Sequence, residues 1–493
     1  MYKRLFYALF VFTFQLSVPL QAKTLDVNNQ IVCSDKMGNP YCQIGAALQA
    51  ANADDTIKIA SGKYVESLVI DKNIKLFGAA PSSTIIDAAG KKRVVTVRPG
   101  TRVQIKSMTL QGGKANKGAG ILNSGSLMLS HVRVFDNVAE LSGGGIYNVS
   151  SVSGSLYIRH SIIEHNKSLG NDKHNIRYGG GGIFNNAPLI IEDSQIKFNQ
   201  AEDNGGGIYS VFSGRFKFSE GEIVAEKLGI SAATERQQTM NRKFDIGAVS
   251  IKRSQILNNH ADAGGGINVH GVLDISQSIL SENSATNGKR SSGGGLFTHF
   301  DTALNLSNVL VSYNRATFRG GGIRFYTVGF GKFFNVSIID NQVLKKFGQG
   351  AGLFVIRGKD KLEISNSLIA RNFIQSQTIS DCHGKIRSLG NNYLSHVKNC
   401  IGFDSATDIF KPLGGVDYLY QWDEGQSRYK AHALGGYVEH GNSVNCTGVK
   451  GKRLSRDVYG KPRHLAASGG GVGRCDIGAI EFEESLPQKG DRP

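Results

Sequence analysis

Aliphatic residues in this chain fall on alternate positions in short runs, and one phrase recurs: aliphatic-x-aliphatic-x-x-Ser-x-aliphatic-x-x-Asn. It reads LYIRHSIIEHN at 156–166, LIIEDSQIKFN at 189–199, VSIKRSQILNN at 249–259 and LDISQSILSEN at 273–283. Looser copies begin at Leu127, Leu304, Gly331 and Leu362, and two more, at Val103 and Phe216, lack the final Asn. The ten starts lie 24 to 33 residues apart. Alternation with period two and no helical spacing predicts strands, and self-similarity at this interval predicts a solenoid. A unit of this length holding two or three strands fits one coil of a parallel β-helix. Each strand then pairs with its equivalent in the next coil, ~4.8 Å away.

A second phrase marks one corner of each coil. LSGGGIYNVS at 141–150 is echoed by YGGGGIFNN, NGGGIYSV, AGGGINVH, SGGGLFTH and RGGGIRFY, with GAGILN before them and GAGLFV after. A phosphate-binding loop would be a single glycine turn opening a helix, whereas a turn repeated in every unit is architecture. Glycine there allows positive φ and close backbone approach. The repeated Asn is expected to form an internal ladder, taking left-handed geometry while its amide bonds to the next rung. A solenoid needs caps over its ends. Ile44, Ala47, Leu48 and Ala51 in QIGAALQAANADD have helical apolar spacing and predict one such cap, closed by a turn at Asn52, Asp54 and Asp55. Polar sequence at 224–248 replaces a glycine corner and reads as a projecting insertion that walls a binding face, or else as a degenerate coil.

The expected organisation is a signal peptide at 1–22, a cap and first coils at 23–100, glycine-rich coils at 101–375, a Cys-containing region at 376–484 and a flexible tail at 485–493. Lys3 and Arg4, a short apolar run to Phe14 and Leu20-Gln21-Ala22 carry the signal-peptide reading. An exported protein, secreted, periplasmic or at the cell surface, with no membrane span after cleavage, follows from it. With 62 Gly, 9 Pro and no G-X-Y period, collagen is excluded, and 40% hydrophobic residues can supply a core. The six cysteines cluster at the two ends, which in an exported chain predicts stapling disulfides. Sequence proximity pairs Cys33 with Cys42, Cys382 with Cys400 and Cys446 with Cys475. No pair has zinc-type C-x₂-C spacing, so no metal and no cofactor are expected. The formal charge of +17 becomes +15 once Lys3 and Arg4 are removed. Outside the cytoplasm this favours acidic glycans, lipopolysaccharide or another envelope surface over nucleic acid. A monomer is expected.

The repeats resemble those of right-handed, single-stranded parallel β-helix proteins of the pectate-lyase-like superfamily, here with about ten or more coils. The GGGI and Asn signatures are similar to those of chlamydial polymorphic outer-membrane proteins. CSDKMGNPYCQIGAALQAANADDTIKIASGKY resembles the CSLREA-type N-terminal segment of bacterial secreted β-helices, although CQIGAAL departs from the usual wording. RDVYGKPRHLAASGGGVGRCDIGAIEFE looks like the choice-of-anchor Q domain that closes such proteins. These resemblances imply an all-β solenoid of surface or secreted type and assign no reaction.

Candidate chemistry follows from the alternation. If the Ile or Leu after each glycine corner points inward, the residues one and three places later point outward. The first outward column then reads Leu122, Tyr147, Phe184, Tyr209, Asn268, Phe297, Arg324, Phe354. The second reads Ser124, Val149, Asn186, Val211, His270, His299, Tyr326, Ile356. Tyr147, Phe184, Tyr209 and Phe297 would suit stacking on sugar rings. His270, His299, Arg324 and Tyr326, beside Asp301, would supply a base and a carboxylate neutraliser for a polysaccharide lyase. The opposite phase would turn the aromatics into core. Neither an Asp-Asp pair for a hydrolase nor a D-x-[DN]-x-[DN]-G calcium loop occurs in the repeats. Binding of carbohydrate or envelope surface without catalysis is the first reading, a lyase on an acidic glycan the second, and an adhesin-like scaffold the third.

Overall fold

The computed structural model describes residues 22–36, 40–149, 154–170, 178–211, 215–219, 222–226, 248–300, 302–326, 330–356, 362–410, 420–423, 428–431, 454–463 and 476–480. For 215–219, 222–226, 420–423 and 428–431 this covers the backbone alone. The signal-peptide region, Asp301, Cys446, Cys475, most of 224–248 and the tail lie outside the described residues.

Alternating aliphatic residues have nowhere to bury within one short strand, so each coil closes on itself and stacks on the next. Three long sheets result, of 21, 12 and 10 strands. Along one coil the chain runs from a two-residue strand such as His260–Ala261, round the glycine corner, into Ile267–Val269, and then into Val272–Ser281. Equivalent strands pair in parallel and in register, as in Ile208↔Ile267 and Ile267↔Leu296. This is a parallel β-helix, as the repeat period implies. In the coil just traced, Ile267, Leu273, Ile275 and Leu280 are each at most 1% exposed. Burying a side chain of that size stabilises by about 1.5–3 kcal/mol, so every coil contributes its own share of a continuous core.

The triple glycine divides its labour. Gly205 has φ +57, which a Cβ disfavours. Gly206 and Gly207 instead sit where a Cβ would meet backbone of the next coil, 2.4 Å from the His260 carbonyl and 2.6 Å from that of Gly266. A phosphate loop is not formed, since the corner leads into a strand.

The Asn ladder is present over eight rungs, from Asn137 through Asn166, Asn199, Asn259, Asn283, Asn314, Asn341 and Asn372, and ends on Asp381. The Asn137 Oδ1 accepts the Gly113 N–H, and from Asn166 on each Oδ1 accepts both the backbone N–H and the Nδ2–H of the preceding rung, as Asn259 does from Asn199 at 3.0 Å. At the far end Asp381 Oδ1 accepts both donors of Asn372. One expectation is corrected. The left-handed residue is the one before the ladder Asn: His165, Phe198, Asn258, Glu282, Tyr313, Asp340 and Arg371 have φ between 53 and 59. The ladder Asn must keep its amide pointing inward, so the corner strain falls on its neighbour.

One further expectation changes. Phe216 does not begin a coil: Arg215–Ser219 pairs antiparallel with Glu222–Glu226 in a separate hairpin. The stack passes from Leu189–Glu192 directly to Val249–Lys252, so the excursion between them leaves after Ser210. Beyond 375, where the glycine repeat ends, Cys382–Lys385, Arg387–Ser388, Tyr393–Leu394 and Ile409–Phe410 add further parallel rungs.

Both ends are closed. Helix Ile44–Ala50 turns Ile44, Ala47 and Leu48 onto the first coil. Asp55 fixes its exit by accepting from the Lys23 and Asn52 N–H groups. Disulfides Cys33–Cys42 and Cys382–Cys400 form as proximity suggests; the third pair lies outside the described residues. Segments 454–463 and 476–480 fold back along the flank of the coils. Val458, Ile477, Ala479 and Ile480 pack there on Leu310, Ile339, Leu368 and Tyr393. No helix of the described residues is long and apolar enough to cross a membrane.

Candidate functional site: the outer face after the glycine corner

The predicted phase is the observed one: Ile267, Leu296 and Ile323 point inward and are at most 1% exposed. In-register pairing makes the two outward columns real. Asn268 pairs with Phe297, Phe297 with Arg324, and Tyr326 with Ile356.

The aromatic half of this surface differs from the open platform expected. Tyr147 and Phe184 stack face to face at 4.5 Å, and Phe184 meets Tyr209 edge-on at 5.7 Å. Phe184 and Tyr209 are only 7% and 3% exposed. Coils one strand spacing apart bring like residues into contact, so the rings cover one another instead of facing solvent. Burial accordingly pushes the Tyr147 hydroxyl pKa up, with Tyr178 adding to it.

The His/Arg half is assembled on three consecutive coils. His270 and His299 stack with ring centres 3.6 Å apart. Phe297 lies 4.9 Å from His299 on one side and carries the Arg324 guanidinium at 4.1 Å on its face. Burial, and then Arg319 nearby, bring Arg324 down to about 10, still a cation at neutral pH. Tyr326 completes the outer strand, its N–H held by Thr298 Oγ1 at 3.0 Å. Asp301 lies outside the described residues.

A polarised chain orients His299. Asn204 Nδ2 donates to the Tyr178 carbonyl, Asn268 Nδ2 donates to Asn204 Oδ1, and Asn268 Oδ1 faces His299 Nε2 at 2.9 Å. Because Asn268 spends its amide hydrogens on Asn204 and on the Ala263 carbonyl, its oxygen must accept. A neutral His299 then carries its proton on Nε2 and its lone pair on Nδ1.

Several neighbours escaped the sequence reading. Arg319 lies between the rings of Phe318 and Phe354 at 4.6 and 4.8 Å, and His383 stacks on Phe354 at 5.1 Å. Phe300, next to His299 in the chain, and Phe330, which precedes strand Gly331–Ile339, are 58% and 41% exposed. Only Arg319 had a usable signal, the aromatic-cationic pair in TFRGGGI. Among the described residues no group of acidic, His or Cys side chains is arranged to hold a metal ion. A cavity of about 590 Å³ in the first coils, beside Asn28, Ile31, Lys58 and Phe77, includes none of the candidates.

No family model matches the chain, and no curated protein sequence matches it, so the likenesses of the two termini and of the glycine repeats to named families gain no support. The chain is similar in structure to a pectin methylesterase from carrot (14% identity, 80% of this chain, 89% of that one, TM-score 0.28). It is also similar to a pectin methylesterase from Aspergillus niger (16% identity, 58% and 82%, TM-score 0.32). A third similarity is to the mannuronan C-5 epimerase A-module of Azotobacter vinelandii (14% identity, 75% and 90%, TM-score 0.30). Likeness at this level carries no argument about chemistry; the architecture rests on the strand pairings described above.

Proposed function

We propose that this protein, exported to the cell surface or beyond, holds an acidic polysaccharide against the outer face that follows the glycine corner. The observation that supports this reading is Arg324, a half-buried guanidinium with no carboxylate at ion-pair distance among the described residues, set beside the stacked His270–His299 pair. A partly desolvated cation without a counter-charge is costly, and the carboxylate of a uronate would supply the missing charge with bidentate geometry. Phe300 and Phe330 take the sugar-stacking role that Phe184 and Tyr209 are too covered to play. Disulfides at both ends fit an oxidising compartment.

A lyase is the second reading, favoured by the stacked His270–His299 pair beside Arg324. An imidazole of that pair would take the proton α to the carboxylate while Arg324 holds the carboxylate's growing charge. The carbon–oxygen bond at the β position would break with its electrons on the leaving oxygen, which is then protonated, leaving a carbon–carbon double bond. Titration with polygalacturonate and alginate, with ultraviolet detection of unsaturated products, tests both readings. Retention lost in Arg324→Gln supports binding, and product lost in His299→Ala supports the lyase. If the unsubstituted protein neither retains nor cleaves any acidic glycan, the proposal fails.

A further inference from the structure

The geometry points to a second anion-binding position on this face, built by Arg319 and His383 around the Phe354 ring, which takes the next acidic group of the same polysaccharide chain. The identity of the ligand rests on the reading above, whereas the anion site stands on separate observations. Arg319 and Arg324 leave the same strand turn five residues apart, and Arg319 also faces Phe354 of the following coil. Phe354 in turn stacks on His383 of the coil after that. Arg319, His383 and Arg324 thus converge on Phe354, with no carboxylate in ion-pair contact with Arg319 or Arg324 among the described residues. The Arg319 Nε and the His383 Nδ1 are both buried without a hydrogen-bond partner.

Such an arrangement works against itself in the empty protein. Burial first, and then Arg290, lowers the Arg319 pKa. Burial first, and then Arg319, lowers that of His383. Like charges held together in a half-dry, aromatic-walled setting raise the free energy of the folded state, and proteins retain such clusters at binding sites. An oxyanion relieves three defects at once: it neutralises the repulsion, accepts from Arg319 Nε and accepts from a protonated His383 Nδ1. Successive charged sugars along the coil axis would meet Arg324 and then Arg319, so the pair sets a preference for glycans charged on neighbouring residues.

The test compares Arg319→Gln with the unsubstituted full chain by calorimetric titration of polygalacturonate (carboxylate), heparin (sulfate) and a neutral glucan. Arg319→Gln is expected to weaken binding of the polyanions about tenfold or more, the loss of one charge-assisted contact. Its thermal midpoint without ligand should stay the same or rise, because a repulsion has gone; a fall would show a packing role and overturn the assignment. Unchanged affinity in Arg319→Gln, with binding lost in Arg324→Gln, refutes the second position and leaves the proposed function standing. Inorganic sulfate separates the opposite case. Stabilisation by sulfate that depends on Arg319, without glycan binding, upholds the anion site and sinks the glycan reading. Stronger binding of heparin than polygalacturonate identifies a sulfated ligand, and the reverse a uronate.

Discussion

Two consecutive asparagines, Asn258 and Asn259, offer a sharp test of how the coils are held. Asn259 is 1% exposed and its side chain makes four hydrogen bonds. Oδ1 accepts from the Asn199 N–H and Asn199 Nδ2, and Nδ2 donates to the Ile196 carbonyl and Asn283 Oδ1, all at 2.9–3.0 Å. In Asn259→Ala the Asn199 N–H loses its partner outright, which costs about 1–3 kcal/mol. The other three groups keep a second partner (Asn199 Nδ2 still reaches the Ile163 carbonyl, for example) and lose about 1 kcal/mol each. The expected loss is therefore about 4–6 kcal/mol, comparable with the whole stability of many domains. Asn258 is half-buried with φ 53, and no hydrogen bond of its side chain is seen. Asn258→Ala forfeits only a tolerance for left-handed backbone, about 1 kcal/mol. Urea unfolding of both variants, with hydrogen exchange at the Asn199 amide, reads the difference. Equal losses in the two variants would refute the ladder as the element that fixes one coil upon the next.

Two other outcomes follow from groups already described. Burial raises Asp381 to about 6, against 3.8 for the ordinary carboxyl, although Ser395 Oγ and Asn372 bond to its charged form. A raised folded-state value means stability that is full below the unfolded value and lost as pH rises through about 6. The two-unit gap corresponds to about 3 kcal/mol. Asp381→Asn should remove that pH slope in urea midpoints. Asp87, where desolvation is outweighed by Lys63 and hydrogen bonds from Ala89 and Gln111, and Asp193, lowered first by Arg253, slope the opposite way but cancel in the comparison; identical slopes would contradict the account. At the corner, Gly207→Ala would place a Cβ 2.6 Å from the Gly266 carbonyl, an overpacking cost of about 3 kcal/mol. Gly90→Ala, at φ +70 but facing open space, should cost about 1 kcal/mol. Denaturant titration ranking Gly90→Ala as the worse variant would show that backbone angle, not coil spacing, selects the glycines.

What could be read from the sequence was whatever repeats with the coil. Ile121, Ile146, Ile183 and Ile208 follow their glycines at a fixed offset, and all four are buried. Parallel in-register stacking turns a sequence column into a physical one, so phase, core and ladder were legible together. The same property hid what the columns do. Placing like on like makes an aromatic column its own cover, and so Phe184 and Tyr209 close while Phe300 and Phe330, outside the repeat, remain exposed. Alternation also cannot tell a coil strand from a hairpin strand, since both need period two; Phe216 fell to that ambiguity. Arg319 shows a second limit: its Phe318 neighbour was visible in the sequence, but its partner Phe354 comes from the next coil and His383 from the coil after that. The period tells which residues share a column, but a chemical group built across columns and coils, such as Arg319 over Phe354, becomes legible only once the coils are stacked.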